Sequence, residues 1–407
     1  MTGQPELSDR VVVDLMDGRF YASAIAERHA AYAWMRNHEP VYRDEANGLW
    51  GIASYDALYA AERDPSRFSS AGGIRPDTPA LPMMIDMDDP AHNKRRKLVS
   101  RGFTPRRVSA LEPRIRQTCN EILDAVCEGG GCDFVRDIAS PLPMIVIGDL
   151  LGVRPEDRDQ LLHWSDTMVS AQGGNATMEM FMAAAQASEE YKAYAADVIA
   201  RRRIEPTDDL MSVLTHAEVD GDRLDDEELN FESLLILIGG DETTRHVLSG
   251  GMHELLLNPD QLALLRDDPS RVPVAVEEML RWVSPIKNMC RTVVADISWY
   301  GAELSAGEKV MLLYESANFD ETHFGDPERF DITRTPNDHL AFGTGTHFCL
   351  GASLARLELR VMLEQLLERM PDITLATDGS LPSRPATFIS GLLSMPVQFT
   401  PSARSHV

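Results

Sequence analysis

Cysteine is scarce in this sequence, and the cysteines form no metal-binding pair. The chain has five, Cys119, Cys127, Cys132, Cys290 and Cys349, and their spacing is irregular. Zinc ribbons and thioredoxin-like redox sites need two cysteines separated by two residues, so the spacing argues against both. Disulfides are not expected either, because the chain is predicted to be cytoplasmic.

Long apolar runs and a targeting pattern are also missing. The sequence has no run of about eighteen apolar residues, which a membrane-spanning helix requires. Its N-terminal segment lacks the basic and then apolar pattern of a secretory signal. We therefore expect a cytoplasmic protein with no membrane span.

Positive charge is in short supply. The chain has 39 basic and 64 acidic residues, for a net charge of −25. Nucleic acid is not expected as a partner, because phosphate binding needs a positive surface. The basic stretch from Asn93 to Arg107 is a local exception. It could hold the carboxylates of a cofactor or dock an acidic partner.

Helical periodicity dominates the sequence that is present. One pattern predicts a long helix from Asp225 to about Leu257, and another predicts a helix after Cys349. Short strand-like segments occur near the N-terminus, after Cys290 and at the C-terminus. We predict a mainly α fold with a large helical lobe and a small β-rich lobe. Residues 1–407 are expected to form one domain, with residues 1–15 disordered.

The stretch HLAFGTGTHFCLG places Cys349 in a glycine-rich loop just before a predicted helix. The free N–H groups and the dipole at a helix N-terminus stabilise a thiolate. Gly343, Gly345 and Gly351 would let the loop approach a flat group. A thiolate surrounded by N–H donors suits a metal ligand. For this cysteine taken alone, a structural role in a glycine turn is the alternative.

Two adjacent glycines, Gly239 and Gly240, lie inside the long helical pattern, in the string GGDETT. Each costs a helix about 1 kcal/mol relative to alanine, so we expect a kink or a widened turn. Thr243 could then bond the carbonyl of Gly239. Glu242 and Thr243 form an acid–alcohol pair suited to proton relay. The alternative is a close helix crossing, with Glu242 facing solvent.

Two further pairs have helical spacing. Glu278 and Arg281 lie at i, i+3 and can form an ion pair. His92 and Arg96 lie at i, i+4 and could grip a carboxylate together. Each pair alone is common on solvated helix faces.

In this order the motifs resemble those of the cytochrome P-450 family, the haem-thiolate monooxygenases. The loop from Phe342 to Gly351 is similar to the family's haem-binding signature, GGDETT to its oxygen-activation motif, and Glu278-x-x-Arg281 to its ExxR motif. The string DPERF is similar to the segment whose arginine, here Arg329, completes a structural triad with that pair. The resemblance covers nearly the whole chain and implies the cytochrome P-450 fold.

The resemblance implies that Cys349 is the axial thiolate ligand of a b-type haem, with Thr243 and Glu242 as catalytic residues for proton delivery. The implied haem contacts are His92, Arg96, Arg291, Phe342, Gly343, His347 and Gly351. A ferredoxin and an NAD(P)H-dependent ferredoxin reductase are implied as electron donors. The basic stretch around Arg95 and Arg101 then fits both haem anchoring and docking of an acidic donor.

Within this family the strings AGGIRPDTPALPMMIDMDDPAH, LLILIGGDETTRH and IKNMCR resemble those of actinobacterial sterol side-chain oxidases. Those enzymes hydroxylate the terminal methyl group, carbon 26 or 27, of cholesterol or cholest-4-en-3-one, and can continue to the acid. The predicted substrate contacts are Ile74, Met84, Ile85, Leu235, Ile238, Gly239, Ile286, Met289 and Leu392. Hydroxylation of another apolar lipid, such as a fatty acid or terpenoid, is one alternative, and a non-catalytic haem sensor is another.

Overall fold

The computed structural model describes residues 10–171 and 176–405. The helices are α1 Gly18–Ala22, α2 Ile25–His38, α3 Tyr55–Glu62, α4 Ala91–Val99, α5 Pro105–Ala110, α6 Glu112–Val126, α7 Pro141–Leu150, α8 Arg158–Ser170, α9 Met178–Ile204, α10 Leu210–His216, α11 Asp226–Leu257, α12 Pro259–Asp267, α13 Val272–Val283, α14 Tyr314–Asn318 and α15 Ala352–Arg369. The strands are β1 Val41–Asp44, β2 Leu49–Ile52, β3 Phe68–Ser69, β4 Gly131–Asp133, β5 Asn288–Val293, β6 Ile297–Trp299, β7 Ala302–Leu304, β8 Lys309–Leu313, β9 Thr374–Leu375 and β10 Pro396–Gln398. No described helix is long and apolar enough to cross a membrane.

The helical lobe is built around α11, which packs against α7, α9, α13 and α15. Asp225 and Glu228 close its N-terminus with a capping box, each side chain accepting from the other's backbone N–H. The predicted long helix is confirmed, but it runs through the two glycines without a break. A Cβ added at Gly240 would lie 2.5 Å from Ile147 Cδ1 on α7. The lack of a side chain at Gly240 therefore lets α11 and α7 cross at close range.

The β-rich lobe contains a mixed sheet in the order β1-β2-β8-β5-β3, in which only β2 and β8 pair in parallel. Its strands come from residues 41–69 and 288–313, so segments far apart in sequence share one sheet. Along β5, Met289 and Arg291 point to the same face, because side chains alternate along a strand. The predicted two-lobed, mainly α fold is confirmed. The shared sheet supports a single domain, which stays a prediction for the chain as a whole.

The N-terminal segment is more ordered than predicted. The N–H of Val13 donates to the Tyr42 hydroxyl at 2.8 Å, and the N–H of Leu15 donates to Asp44 Oδ2 at 2.8 Å. Leu15 is fully buried. The prediction of disorder is therefore wrong for residues 10–15, since this segment caps the sheet lobe, while residues 1–9 lie outside the described part of the chain.

The predicted pair of Glu278 and Arg281 is a fully buried ion pair at the centre of a polar cluster. Arg281 donates two hydrogen bonds to the Glu278 carboxylate, each 2.8 Å long. Glu278 also accepts from the N–H of Asp331 at 2.9 Å, from Arg334 Nε at 3.1 Å and from Asn337 Nδ2 at 3.2 Å. These donors satisfy the Glu278 carboxylate, because a buried charge is stable only when it is hydrogen-bonded.

Arg329, predicted to complete this triad, does not do so. Its side chain is exposed, and only its backbone carbonyl takes part, accepting from Arg334 at 2.9 Å. Two successive turns, closed by the N–H of Arg329 on Asp326 and the N–H of Arg334 on Asp331, bring Arg334 back over Glu278. Arg334 is therefore the third member of the triad.

We predict that Arg334→Ala destabilises the protein by about 3 kcal/mol, because it removes a cation from a buried carboxylate. Arg329→Ala is the matched control and should change stability by no more than about 0.5 kcal/mol, as exposed substitutions usually do. Chemical unfolding of the haem-loaded protein measures both. Equal losses in the two variants would contradict the assignment of Arg334.

Candidate active site

A large cavity lies between α11, α4, β5 and the loop before α15. It holds about 1340 Å³ of space between its atoms, counting the part that opens to solvent. Cys349 and Thr243 both line it, as do all seven predicted haem contacts: His92, Arg96, Arg291, Phe342, Gly343, His347 and Gly351. The cavity therefore brings the candidate metal ligand, the candidate catalytic threonine and the predicted haem contacts together.

The loop that carries Cys349 depends on two glycines. Gly343 and Gly345 have φ angles of +63° and +66°, which side-chain-bearing residues rarely adopt. The N–H of Cys349 donates to the carbonyl of Phe342 at 2.9 Å, which closes the loop. Gly351 is the N-cap of α15, as the sequence predicted for a cysteine at a helix N-terminus.

The thiol of Cys349 lies among hydrogen-bond donors. Burial raises its pKa, while the backbone N–H groups of Gly351 and Ala352 and the charges of Arg96 and Arg356 act in the opposite direction. A sulfur with two amide donors and two nearby guanidinium groups is suited to bind a metal as the thiolate. The expected arrangement of backbone amides around the sulfur is therefore present.

Glu62, at the end of α3, holds the cysteine loop from outside. Its carboxylate accepts from the Tyr314 hydroxyl at 2.6 Å and from the N–H of Thr344 at 2.8 Å. A Cβ at Gly345 would lie 2.7 Å from the Glu62 carbonyl oxygen, so the two segments are in contact. The sequence offered no signal for this residue, because it stands about 280 positions away in a string typical of an exposed helix end.

A second set of hydrogen bonds holds the start of the loop. The N–H of Leu340 donates to Asn318 Oδ1 at 2.7 Å, and Arg281 Nη1 donates to the Asn318 carbonyl at 2.9 Å. The Leu340 carbonyl in turn accepts from the N–H of Gly343 at 2.9 Å. The buried Glu278–Arg281 pair is thus connected through Asn318 to the loop that carries Cys349.

Four basic side chains meet at one side of the cavity. His92 is fully buried, and neither ring nitrogen makes a hydrogen bond, although Nδ1 lies 3.6 Å from the Asp89 carboxylate. Its ring lies 4.2 Å from that of His347, and burial lowers the pKa of His347 to about 3. Arg96 and Arg291 complete the group.

The two arginines have few partners within the protein. Arg96 donates to the carbonyl of Phe348, and burial lowers its pKa. Arg291 Nη1 donates to the Cys290 carbonyl at 2.9 Å, and its Nη2 lies 3.9 Å from Glu62. Cations in a cavity with unfilled donors call for an anionic ligand.

This donor set fits haem. Among the residues that the structure describes, no cluster of three or more His, Cys, Asp or Glu side chains could hold a metal ion. Cys349 would act as a single protein ligand, which suits an iron whose other ligands belong to a macrocycle. The unfilled donors of His92, Arg96 and Arg291, next to His347, match a group that carries two carboxylates.

Thr243 lies as the sequence predicted. Its hydroxyl donates to the carbonyl of Gly239 at 2.8 Å, and both residues line the cavity. A Cβ added at Gly239 would meet nothing within 4 Å, so this position opens into free space. The hydroxyl is placed to exchange a proton with a molecule in the cavity.

Glu242 does not line the cavity, nor does it face solvent as the alternative interpretation held. It is fully buried and pairs with Arg245, with Arg384 at 2.9 Å and with His246 at 3.3 Å. Burial acts to raise its pKa, but the hydrogen bond of His246 and the charges of both arginines outweigh it and hold the pKa well below its ordinary value. Arg245 also lies 3.3 Å from the half-exposed Asp166.

The predicted substrate contacts divide into two groups. Those that line the cavity are Met84, Ile85, Leu235, Gly239, Ile286 and Met289. Ile74 instead packs with Phe388 and Ile389 behind them, and Ile238 and Leu392 pack against the helical core. A hydrophobic string alone does not tell which side of its element meets the cavity, so substrate contact by these three residues stays a prediction. Lining residues that the sequence did not single out include Phe103, Ile147 and Val247.

Comparisons with known proteins agree with this geometry. The cytochrome P-450 family model matches residues 271–371. A steroid C26-monooxygenase from Mycobacterium tuberculosis is 60% identical over 391 residues, which are 96% of this chain and 98% of the relative. A steroid C26-monooxygenase from Mycolicibacterium smegmatis is 56% identical and covers 98% of both chains. Among solved structures, cytochrome P-450 CYP109Q5 from Chondromyces apiculatus matches with a TM-score of 0.87 at 35% identity, over 96% of this chain and 99% of that one.

Proposed function

Because this chain belongs to the cytochrome P-450 family, we propose that it hydroxylates the terminal methyl group of a sterol side chain, with cholesterol or cholest-4-en-3-one as substrate. One observation carries the proposal. An apolar cavity leads to Cys349 in a chain that is 60% identical to a steroid C26-monooxygenase over nearly its whole length. Continued oxidation of the alcohol to the acid would use the same site.

Haem, when bound, supplies the chemistry that splits dioxygen, placing one oxygen atom in the substrate and releasing the other as water. Cys349 would hold the haem iron through its thiolate, which donates electron density to iron. His92, Arg96, Arg291 and His347 would hold the two haem carboxylates. Phe342, Gly343 and Gly351 would border the cofactor. Because the two glycines have no side chain, their backbone could approach it closely.

Thr243 and Glu242 are proposed to deliver protons. Thr243 meets the cavity, whereas Glu242 reaches outward to Arg384 and Arg245, which contact the half-exposed Asp166. A proton from solvent would therefore cross this charged cluster before it reaches the cavity. Glu242 is held as a carboxylate there, so it accepts a proton once one of its ion pairs opens.

The cavity wall is proposed to choose the carbon that is oxidised. A terminal methyl group has stronger C–H bonds than the neighbouring branched carbon, so unguided oxidation would favour the branch. Met84, Ile85, Leu235, Ile286 and Met289 form an apolar wall that suits a neutral lipid. Selection of the terminal carbon then depends on positioning by this wall.

An acidic ferredoxin, reduced by an NAD(P)H-dependent reductase, is the proposed electron donor. Lys97, Arg101 and Arg106 are exposed, and none of the three has an ion-pair partner among the described residues. They follow Arg96, which bonds the carbonyl next to Cys349. Arg95 does not contribute to this surface, since it is mostly buried against acidic residues. A cytoplasmic location stays a prediction from the sequence.

We predict that Thr243→Ala keeps haem content and sterol binding but lowers product formed per NADH at least about tenfold, with hydrogen peroxide released instead. The reason is that ordered proton delivery is lost. Thr244→Ala is the control, because this neighbour lines the same cavity. Product, NADH and peroxide are measured together. Unchanged coupling in Thr243→Ala would rule out the proposed role.

The function itself is tested by incubating cholest-4-en-3-one with the protein, a ferredoxin and its reductase, and identifying products by mass spectrometry and NMR. We expect the terminal alcohol or acid. Oxidation mainly on the rings would contradict the proposal. Turnover of a fatty acid or terpenoid without sterol turnover would favour another lipid, and no substrate-dependent NADH use at all would favour a haem sensor.

A further inference from the structure

Glu232 of α11 is a buried carboxylate that the proposed chemistry does not use. It is fully buried, and its Oε1 accepts from the N–H of Met84 at 2.8 Å and from Arg95 Nη1 at 3.0 Å. Arg95 also pairs with Glu228, one helical turn earlier on α11. These contacts join three segments: α11, α4 and the helical turn Met84–Asp86.

Burying this carboxylate is costly, so its partners matter. Burial raises the pKa of Glu232 to about 7, while the charge of Arg95 and the N–H of Met84 act against the rise. Its Oε2 has no hydrogen-bond partner. An acid that is this poorly solvated stays in place because two donors from other segments converge on one oxygen.

The helical turn has mainly local hydrogen bonds besides this one. The N–H of Asp86 donates to Met83, and the N–H of Met87 donates to Met84. The Glu232 contact is what links the turn's backbone to α11. Met84 and Ile85 in this turn line the cavity, and Leu235 and Gly239 line it from α11. Glu232 therefore links these two walls through a direct hydrogen bond.

We propose that Glu232 is a positioning residue that determines which carbon of the substrate is oxidised. Its hydrogen bond to the Met84 amide holds the wall of Met84 and Ile85 against α11, and Arg95 holds the Glu232 carboxylate in place. The role rests on the proposed function, because terminal oxidation requires a wall that excludes the branched carbon. Displacing reacting groups by about 1 Å can cost on the order of a hundredfold in rate, so a small shift of this wall changes the product.

Three variants separate the parts of this clamp. Glu232→Ala removes the acceptor of the Met84 amide. Glu232→Gln removes the charge but keeps an oxygen that can accept from Met84, and Arg95 keeps Glu228 as its partner. Glu228→Gln is the matched control, because it changes an acid that also binds Arg95 but accepts its hydrogen bonds from Arg95 and Asp225 and none from the Met84 amide. Glutamine keeps the capping box at that position.

The first measurement is amide hydrogen exchange of residues 81–87, by mass spectrometry on the haem-loaded protein without substrate. Glu232→Ala should speed this exchange about tenfold, the effect of losing one hydrogen bond to a buried amide. Glu232→Gln and Glu228→Gln should stay within about twofold of the parent protein. This readout does not depend on which substrate the protein takes.

The second measurement is the ratio of terminal to branched-carbon product from cholest-4-en-3-one. Glu232→Ala should lower this ratio about tenfold, while Glu232→Gln retains it. Unchanged exchange in Glu232→Ala, or equal effects in the alanine and glutamine variants, would overturn the clamp. Faster exchange with an unchanged product ratio would overturn its role in selectivity. If the parent protein makes no terminal product, the proposed function fails, and the exchange result still decides whether the clamp exists.

Discussion

The buried ion pair between Glu278 and Arg281 is the interaction on which the position of Cys349 depends. A loop rich in glycine has no rigidity of its own, so its geometry must come from its neighbours. Arg281 bonds the Asn318 backbone, and Asn318 bonds the backbone of Leu340, where the loop begins. Glu62 supplies the second anchor, at Thr344. The sulfur is placed by charges and amides that lie outside the loop.

The cavity has a basic side near the cysteine loop and a mostly apolar wall elsewhere. The positions of the buried charged side chains produce this difference. Arg96 and Arg291 meet beside His92 and His347 near the loop, in a chain whose net charge is −25, so two positive charges lie where an anionic cofactor would bind. The remaining wall is mostly apolar, although Glu62 and Glu358 also line the cavity. Two acidic residues near it form ion pairs: Glu242 pairs with Arg245 and Arg384, and Glu232 pairs with Arg95. A neutral substrate therefore meets a mostly apolar surface.

The sequence predicted those features that local spacing determines. The helix that carries His92 and Arg96, the bond from Thr243 to Gly239 and the pair of Glu278 with Arg281 all depend on residues three or four positions apart. Local spacing could not predict the features that depend on contacts between residues far apart in the sequence. Arg334 takes the place expected of Arg329 because of two turns, and Glu62 reaches the loop across about 280 residues. Likewise, only packing decides that the apolar residues Ile74, Ile238 and Leu392 are not among the lining residues.

The most direct test of the account is the absorption spectrum of the reduced carbon monoxide complex, because it reports the atom that ligates the iron. The parent protein should show the strongly red-shifted Soret band of thiolate-ligated haem, and Cys349→His should lose it while still binding haem. Cys132→Ala, a change at a cysteine outside the cavity, should keep the band. A red-shifted band that survives in Cys349→His would show that another cysteine ligates the iron and would contradict the account.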